Sequence, residues 1–476
     1  MLYLFLVAFR SVQGIYQDAI ADTLTQTTFQ IVAKPYKIGI FGGVMSTILS
    51  LVSFLFLGAM LYYLKLFRQL SPLGRAVAWI AKGVSALALV YIYTSVYPKR
   101  SEADIFKYFD DSKQLTALAN EDPSAFGRVF LGTWEHRDMP NLNRMNYWFR
   151  SYDHGLANDN RMVIRVNALM NFLTGGVYGL NLVLFLFLSF LGCYWIYAFL
   201  LHFNAHKLSA FFTAFLIPST LFWSSGILKE SLLIFSLGGF LYSLLSLSKR
   251  WEFRYAVLGC LTLYILLFLK IYILLALAPI VLFYGFYQHW KSWWIAGLSV
   301  LTILVALFIT VSLLMPHWSI LSTLQGKQFD FIQMAKSVHA GSQIWVLPMD
   351  GTWVTLLKLV PLGIFNCLAF PSITMLENFL SWTAFIENSW LVLLILGALT
   401  GVVQGKKAPL WALGMLLFSF TVFSLIGMTA PVVGAMVRYK APVLPFLVFG
   451  LLYLQPHFMT KFFNNLKIIP WLTTRL

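Results

Sequence analysis

Long apolar segments recur along most of this chain, and they constrain its fold more than any other feature. Hydrophobic residues make up 59% of the sequence and charged residues only 11%, whereas soluble domains carry about 25% charged residues. A membrane crossing needs about 20 apolar residues. Candidate crossings lie at 38–64, 77–97, 177–201, 208–224, 231–248, 255–269, 271–288, 292–315, 387–403, 409–428 and 441–456. The sequence predicts an all-α polytopic membrane protein, one integral membrane domain over residues 1–476, with 11 crossings, or 12 if 1–37 holds another.

Positive charge is concentrated in the connections between these segments. The net charge is +16. Alternating crossings place thirteen basic residues and one acid on the same side, in the connections 65–76, 202–207, 249–254, 289–291 and 404–408 and in the tail after 456. Basic loops of a membrane protein face the cytoplasm. The pattern therefore predicts a cytoplasmic C-terminus and a cytoplasmic (inner) membrane location, and it explains the positive charge without a nucleic-acid partner.

The longest polar segment, 98–161, falls on the opposite side and is predicted to be the first large external loop, periplasmic or extracellular. It contains ten of the eighteen acidic residues, together with nine basic residues. Its aromatic residues indicate that it folds, because disordered segments are poor in aromatics. A second external loop is predicted at 316–356. The segments 162–175 and 354–370 are typical of short or in-plane helices.

An acidic motif opens the first external loop in YPKRSEADIFKYFDDSKQL. If this stretch is helical, Asp104, Tyr108 and Asp111 share one face, because residues spaced by four and seven lie together. A carboxylate at the membrane boundary can act as a general base or bind a divalent cation. Asp110 is a further candidate. The alternative is a set of solvated acids, or an N-cap for the helix that follows.

Five charged residues stand inside or beside apolar segments on the same predicted face: Arg165, Lys229, Glu230, Lys270 and Arg438. Ionisable groups at such positions are costly and are often functional. Four cations on one face suggest an anionic ligand, most simply a lipid phosphate. The alternatives are a turn with a local Lys–Glu pair and long side chains that reach the interface on their own.

Common cofactor and metal motifs are absent from the sequence. It contains no GxxxxGK[ST], HExxH or CxxC motif and no GxGxxG before a helix. The three cysteines lie in apolar stretches without pair spacing. The sequence assigns no metal site and no cofactor, apart from a divalent cation, Mg²⁺ or Mn²⁺, that the acidic motif could hold.

Four elements resemble the GT-C superfamily of polytopic membrane glycosyltransferases, in its bacterial members. These elements are Asp104-x-x-x-Tyr108 after an early crossing, RVNALMNFLTGG, WSSGILKESLLIF and RYKAPVLPF, spread over residues 98–450. Such enzymes transfer a sugar from a polyprenyl-phosphate carrier on the outer face of the membrane. The sequence has Glu102-Ala103-Asp104 where many members have an adjacent Asp-Glu pair.

The resemblance implies roles for the candidate residues. Asp104 would activate the acceptor, Tyr108 would support it, and Asp110 or Asp111 would be the alternate base or a metal ligand. The residues that hold the carrier phosphate would be Arg165, Lys229, Lys270 and Arg438, with Glu230 beside them. The acceptor would be a glycan, a lipid or a protein. The alternatives are a surface-polysaccharide polymerase, a transporter or flippase of an anionic lipid-linked sugar, and a non-catalytic scaffold of the cell envelope.

Overall fold

The described part of the protein is helical almost throughout. The computed structural model describes residues 40–63, 67–96, 100, 103–149, 158–203, 206–314 and 319–456. Its helices, α1 to α19 in chain order, are Ile40–Tyr63, Pro72–Val96, Asp104–Glu121, Pro123–Leu131, Met139–Leu142, Asn160–Thr174, Tyr178–Leu201, Lys207–Phe211, Pro218–Trp223, Lys229–Lys249, Phe253–Leu269, Ile271–Trp290, Trp293–Leu314, Ile320–Ser337, Trp353–Ala369, Phe379–Val403, Leu410–Thr429, Val433–Lys440 and Leu444–Leu454. A π-type turn, Phe212–Leu216, continues α8. The predicted all-α fold is confirmed.

Eight of these helices are long and apolar enough to cross a membrane, namely α1, α2, α7, α10, α12, α13, α16 and α17. α18 and α19 together make a ninth candidate, bent by 70° at the break between them. The described residues thus have the architecture of a multi-pass membrane protein, but with fewer long apolar helices than the eleven or twelve crossings expected. The segment 208–224 is interrupted at Pro218, and α11 has only 17 residues. Residues 1–37 lie outside the described part.

Close helix packing in the bundle depends on glycine. α7 and α10 approach so closely that a Cβ at Gly192 would collide with the backbone of Ile234, and one at Gly238 with the backbone of Gly192. Without a hydrophobic driving force between helices in lipid, small residues that let backbones approach supply packing. This contact fixes α10, whose first residues belong to the candidate site.

The basic connections meet at one end of the bundle. The Tyr197 hydroxyl at the end of α7 donates to the Gln69 carbonyl before α2 (3.2 Å). Lys406 Nζ donates to the Gln455 carbonyl after α19 (2.9 Å), and Trp411 stacks on Phe203 with 5.0 Å between ring centroids. We call this end, with the connections after α1, α7, α10, α12 and α16, the basic end.

The described residues of the segment 98–161 form a small helical unit at the opposite end, where α2 finishes. Its helices α3, α4 and α5 are followed by α6, which packs on α3. Asn171 of α6 donates to the hydroxyls of Ser112 (3.0 Å) and Thr116 (3.1 Å). Arg128 of α4 pairs with the buried Asp138 at 2.6 Å. This packing holds the first turn of α3 over the end of the bundle.

Candidate functional site

Asp104 is the first residue of α3 and lies where the helical unit meets the bundle. Its carboxylate accepts a hydrogen bond from Arg438 Nη1 at 2.5 Å, and Lys107 Nζ lies 3.5 Å away. An acid in the first turn is also favoured by the helix dipole. The side chain remains 32% exposed. Asp104 is therefore a carboxylate that is held by cations and still reachable from outside.

Arg438, in the last turn of α18, joins two carboxylates from distant parts of the chain. Besides Asp104, it faces Glu230 at the start of α10, with Nε 2.9 Å from Oε2. This second contact is an ion pair without the geometry of a hydrogen bond. Glu230 is almost wholly buried (1% exposed), and a buried carboxylate requires a nearby cation.

A third acid, Asp159, lies between two lysines. Its carboxylate oxygens are 2.8 Å from Lys229 Nζ and 3.1 Å from Lys270 Nζ. Asp159 directly precedes α6, Lys229 begins α10, and Lys270 is the break between α11 and α12. All three side chains are buried or nearly so. Three separate parts of the chain thus supply one ionic contact.

Aromatic rings join these contacts into one cluster. Lys229 Nζ lies 5.6 Å from the ring centroid of Tyr108, one turn along α3 from Asp104. Lys270 Nζ lies 4.3 Å from the ring of Tyr439, the neighbour of Arg438. Rings at such distances attract cations. We call Asp104, Asp159, Lys229, Glu230, Lys270 and Arg438 the acid–base cluster.

The cations around Asp104 lower the pKa of its carboxyl group. Burial raises the pKa of this carboxyl, but the charges of Arg438, Lys107 and Lys229 and the hydrogen bond from Arg438 outweigh burial and bring the pKa to about 2. Asp104 is therefore ionised throughout the physiological range. With Arg438 in contact it is also a weak proton acceptor, because basicity falls with pKa.

Of the nine candidate residues, the structure brings together Asp104, Tyr108, Lys229, Glu230, Lys270 and Arg438. Asp110 instead pairs with Arg100 at the surface (2.9 Å). Asp111 is buried and accepts hydrogen bonds from the backbone N–H groups of Asn146 (3.0 Å) and Tyr147 (2.8 Å). Burial raises its pKa to about 6 despite these bonds. Asp111 thus joins α3 to the segment after α5 within the helical unit.

Arg165 also lies apart from the described contacts of the cluster. It donates to the Val129 carbonyl (3.2 Å), and its guanidinium lies 5.4 Å from the ring of Trp148. Both partners belong to the helical unit, and burial lowers the pKa of Arg165. These contacts connect α6 to α4 and the segment after α5.

Sequence reasoning missed the role of Asp159 and counted it only among the acids of the loop. Its position directly before the RMVIRVN helix was the available signal, but no spacing rule pairs it with lysines so far along the chain. Further polar groups are buried within the bundle. Lys82 of α2 donates to Ser189 (2.7 Å) and Ser224 (3.0 Å).

Lys440 is a second lysine with no exposed surface. It donates to Asn388 of α16, and the adjacent Glu387 accepts from the Ser219 backbone N–H at 2.8 Å. These groups lie inside the helical bundle, between α9, α16 and α18. They place further charge in its interior.

Comparisons of the chain with protein-family models, with curated proteins and with solved structures found no match. Among the residues that the structure describes, no group of three His, Cys, Asp or Glu side chains could hold a metal ion.

Proposed function

We propose that the protein is a membrane glycosyltransferase of GT-C type, which moves a sugar from a polyprenyl-phosphate carrier to an acceptor at the end of the bundle that bears the acid–base cluster. The observation that carries the proposal is the contact of Asp104 with Arg438, beside Lys229 and Lys270. This contact joins a reachable carboxylate to one cation, and two further cations, paired with Asp159, lie in the same cluster at the end of an apolar bundle. A membrane-anchored anionic substrate and a hydroxyl acceptor both fit that combination.

In the proposed reaction, Asp104 and the cations of the cluster have separate roles. The acceptor hydroxyl oxygen forms a bond to the anomeric carbon of the sugar, and the bond from that carbon to the carrier phosphate oxygen breaks. The phosphate leaves with the bonding electrons, and the hydroxyl proton passes to Asp104. Arg438, Lys229 and Lys270 stabilise the charge that develops on the leaving phosphate, which is the kind of electrostatic help that contributes most in enzymes.

Binding of the donor would also raise the pKa of Asp104 and make it a better base. A carrier phosphate competes with Asp104 for Arg438, since both are anions. When Arg438 turns to the phosphate, Asp104 loses the strongest attraction that lowers its pKa. Its pKa then rises toward the ordinary value and it accepts a proton more readily. Donor binding would thereby precede activation of the acceptor.

Substitution Asp104→Asn tests the proposal. Sugar transfer from a radiolabelled polyprenyl-phosphate donor is measured with purified protein in proteoliposomes. Loss of a general base reduces the rate by about 10²–10⁴-fold, so we expect a loss of that size. Asp110→Asn is the matched control, because Asp110 is paired at the surface with Arg100, and it should retain wild-type transfer. Equal activity of wild type and Asp104→Asn contradicts the role of Asp104.

Orientation and partners follow from the same proposal. The basic end would face the cytoplasm and the acid–base cluster the outer face of a cytoplasmic membrane, with a glycan, lipid or protein as acceptor. A polysaccharide polymerase would use the same site with a lipid-linked glycan as acceptor. The Mg²⁺ or Mn²⁺ considered for the acidic motif stays a prediction, and transfer in the presence of EDTA tests it.

One observation favours a second candidate, a transporter of an anionic lipid-linked sugar. Lys82, Glu387 and Lys440 are buried in the helical bundle, and ionisable residues inside membrane helices often mark a transport path. Movement of a fluorescent lipid-linked sugar across proteoliposomes tests this candidate. Movement that depends on Lys82 and is insensitive to Asp104→Asn would favour it over glycosyl transfer.

A further inference from the structure

A large apolar cavity lies at the basic end of the bundle, away from the acid–base cluster. It has a volume of about 920 Å³ and is walled by residues of α7, α10, α12, α13, α17 and α19. The first residue of α10 to line it, Leu241, is twelve positions beyond Lys229, or about 18 Å along the helix. The cavity and the cluster are therefore separate sites.

The depth of the cavity matches one leaflet of a bilayer. Along α12 its wall runs from Leu277 to Gln288, which is about 16 Å at 1.5 Å per residue. Half of the hydrocarbon core of a bilayer is about 15 Å. The walls are almost wholly apolar, and the polar residues Ser248 and Gln288 lie where α10 and α12 finish. Such a space suits a hydrocarbon chain whose polar end stays at the basic end.

Cations stand at the mouth of the cavity. Lys291 Nζ donates to the side-chain oxygen of Gln288, a lining residue, at 2.8 Å. Lys249 follows the lining residue Ser248 and is exposed. Trp293 and Trp294, directly after Lys291, are also exposed, as is typical of the aromatic belts at membrane interfaces. The mouth thus lies at headgroup level and is positively charged.

We propose that this cavity binds an anionic glycerophospholipid from the leaflet at the basic end, with an acyl chain inside and the phosphate beside Lys291 and Lys249. Charge complementarity at the mouth and the one-leaflet depth both point to this occupant. A polyprenyl-phosphate donor would instead need the cations of the acid–base cluster at the other end. The inference stands whether or not the protein transfers sugars.

Gly285 offers a direct way to fill the cavity. It lines the space and is exposed, and a Cβ added there would meet no atom within 4 Å. Gly285→Phe therefore places a ring in the cavity without a clash at its first carbon. Leu275→Phe is the matched control, because Leu275 lies on the same helix and is 57% exposed. Lys291→Gln removes charge from the mouth and leaves the cavity open.

The experiment is native mass spectrometry of the purified full-length protein with added phosphatidylglycerol or phosphatidylcholine. Wild type and Leu275→Phe should retain phosphatidylglycerol preferentially, and Gly285→Phe should lose most of it. Lys291→Gln should reduce the preference for phosphatidylglycerol roughly fivefold, as expected for one lysine at an anionic lipid surface.

Three results would overturn the inference. The first is retention by Gly285→Phe equal to that of the control. The second is equal retention of the two phospholipids by the wild type. The third is a polyprenyl phosphate that displaces phosphatidylglycerol from the wild type and is itself lost in Gly285→Phe. Thermal unfolding of each variant shows whether it is folded, and Lys291→Gln tests the mouth even if Gly285→Phe fails to fold.

Discussion

The two ends of the helical bundle both carry cations, but they accommodate them differently. At the acid–base cluster, Lys229, Lys270 and Arg438 are buried or nearly so, and each contacts a carboxylate. At the basic end, Lys249 and Lys291 are exposed. A buried charge is tolerated only with a partner, whereas an exposed one is solvated by water. The three cations of the cluster therefore make internal ion pairs, whereas Lys249 and Lys291 at the basic end are open to their surroundings.

The contrast between paired and exposed cations affects how an anion would bind at each end. An anion that enters the acid–base cluster must compete with carboxylates already in contact with the cations, so affinity and specificity depend on exchange of partners. An anion at the basic end replaces water and meets weaker, salt-sensitive attraction. The first arrangement suits a reaction site and the second suits retention of a lipid.

The largest expected effect comes from removing the carboxylate shared by two lysines. Asp159→Asn leaves Lys229 and Lys270 buried without the acid that both contact. Breaking a buried ion pair from one side costs about 3–5 kcal/mol, so we expect a loss of that order in the free energy of unfolding. Denaturant titration of the purified protein in lipid–detergent micelles measures it.

Glu121→Gln is the control for this prediction. Glu121 pairs with Arg144 at 2.6 Å, but about half of each side chain is exposed. Exposed pairs contribute about 0–1 kcal/mol, so this variant should unfold nearly as the wild type does. If the two variants lose the same stability, burial does not distinguish the acid–base cluster from the surface, and the comparison fails.

A smaller effect is the pH dependence of the free energy of unfolding, to which two aspartates of α3 contribute with opposite sign. The pKa of Asp111 is raised to about 6, so the folded state binds its proton more tightly than the unfolded state does. Stability from this group is therefore highest below about pH 4 and falls as the pH rises through 6, by about 2–3 kcal/mol. Asp104 acts in the opposite direction: its pKa is lowered to about 2, and its contribution is lost as the pH falls below about 4.

Asp111→Asn isolates the first of these effects. The N–H groups of Asn146 and Tyr147 donate to different oxygens of Asp111, so asparagine keeps an acceptor for one of them. It does not ionise, and its constant loss of the second hydrogen bond does not vary with pH. The free energy of unfolding of wild type should fall more steeply than that of the variant between pH 4 and pH 7. Parallel curves would mean that Asp111 ionises as easily in the folded helical unit as in the unfolded chain.

The sequence predicted the class of fold and which charged residues lie at one end of the bundle. It did not predict which of these residues are in contact. Alternation of apolar segments places Asp104, Lys229, Lys270 and Arg438 on one side, and the structure brings them into one cluster. The number of crossings that precede a residue, however, determines only the end of the bundle at which that residue lies. The choice of Asp159 as partner of both lysines depends on the packing of α6 against the bundle, which no spacing encodes.

Other features lay beyond sequence patterns for similar physical reasons. Hydropathy counts apolar residues but does not register the break at Pro218 or the 17-residue length of α11, so it does not distinguish short or interrupted apolar helices from long continuous ones. Helical spacing correctly places Asp111 on the face of Asp104. It cannot show that this face turns inward by the seventh residue, where Asp111 meets backbone N–H groups.

Only a small effect on stability is expected at the basic end, where the lysine at the mouth of the cavity is exposed. Lys291 is exposed and donates to Gln288, so Lys291→Gln should change the free energy of unfolding by less than about 0.5 kcal/mol in phospholipid-free detergent. With phosphatidylglycerol added, a ligand that binds the folded state stabilises it, and the variant should gain less stability than the wild type. A large loss without lipid would show that Lys291 has an internal role like that of the cluster lysines. An equal gain with lipid would show that its charge faces no bound phosphate.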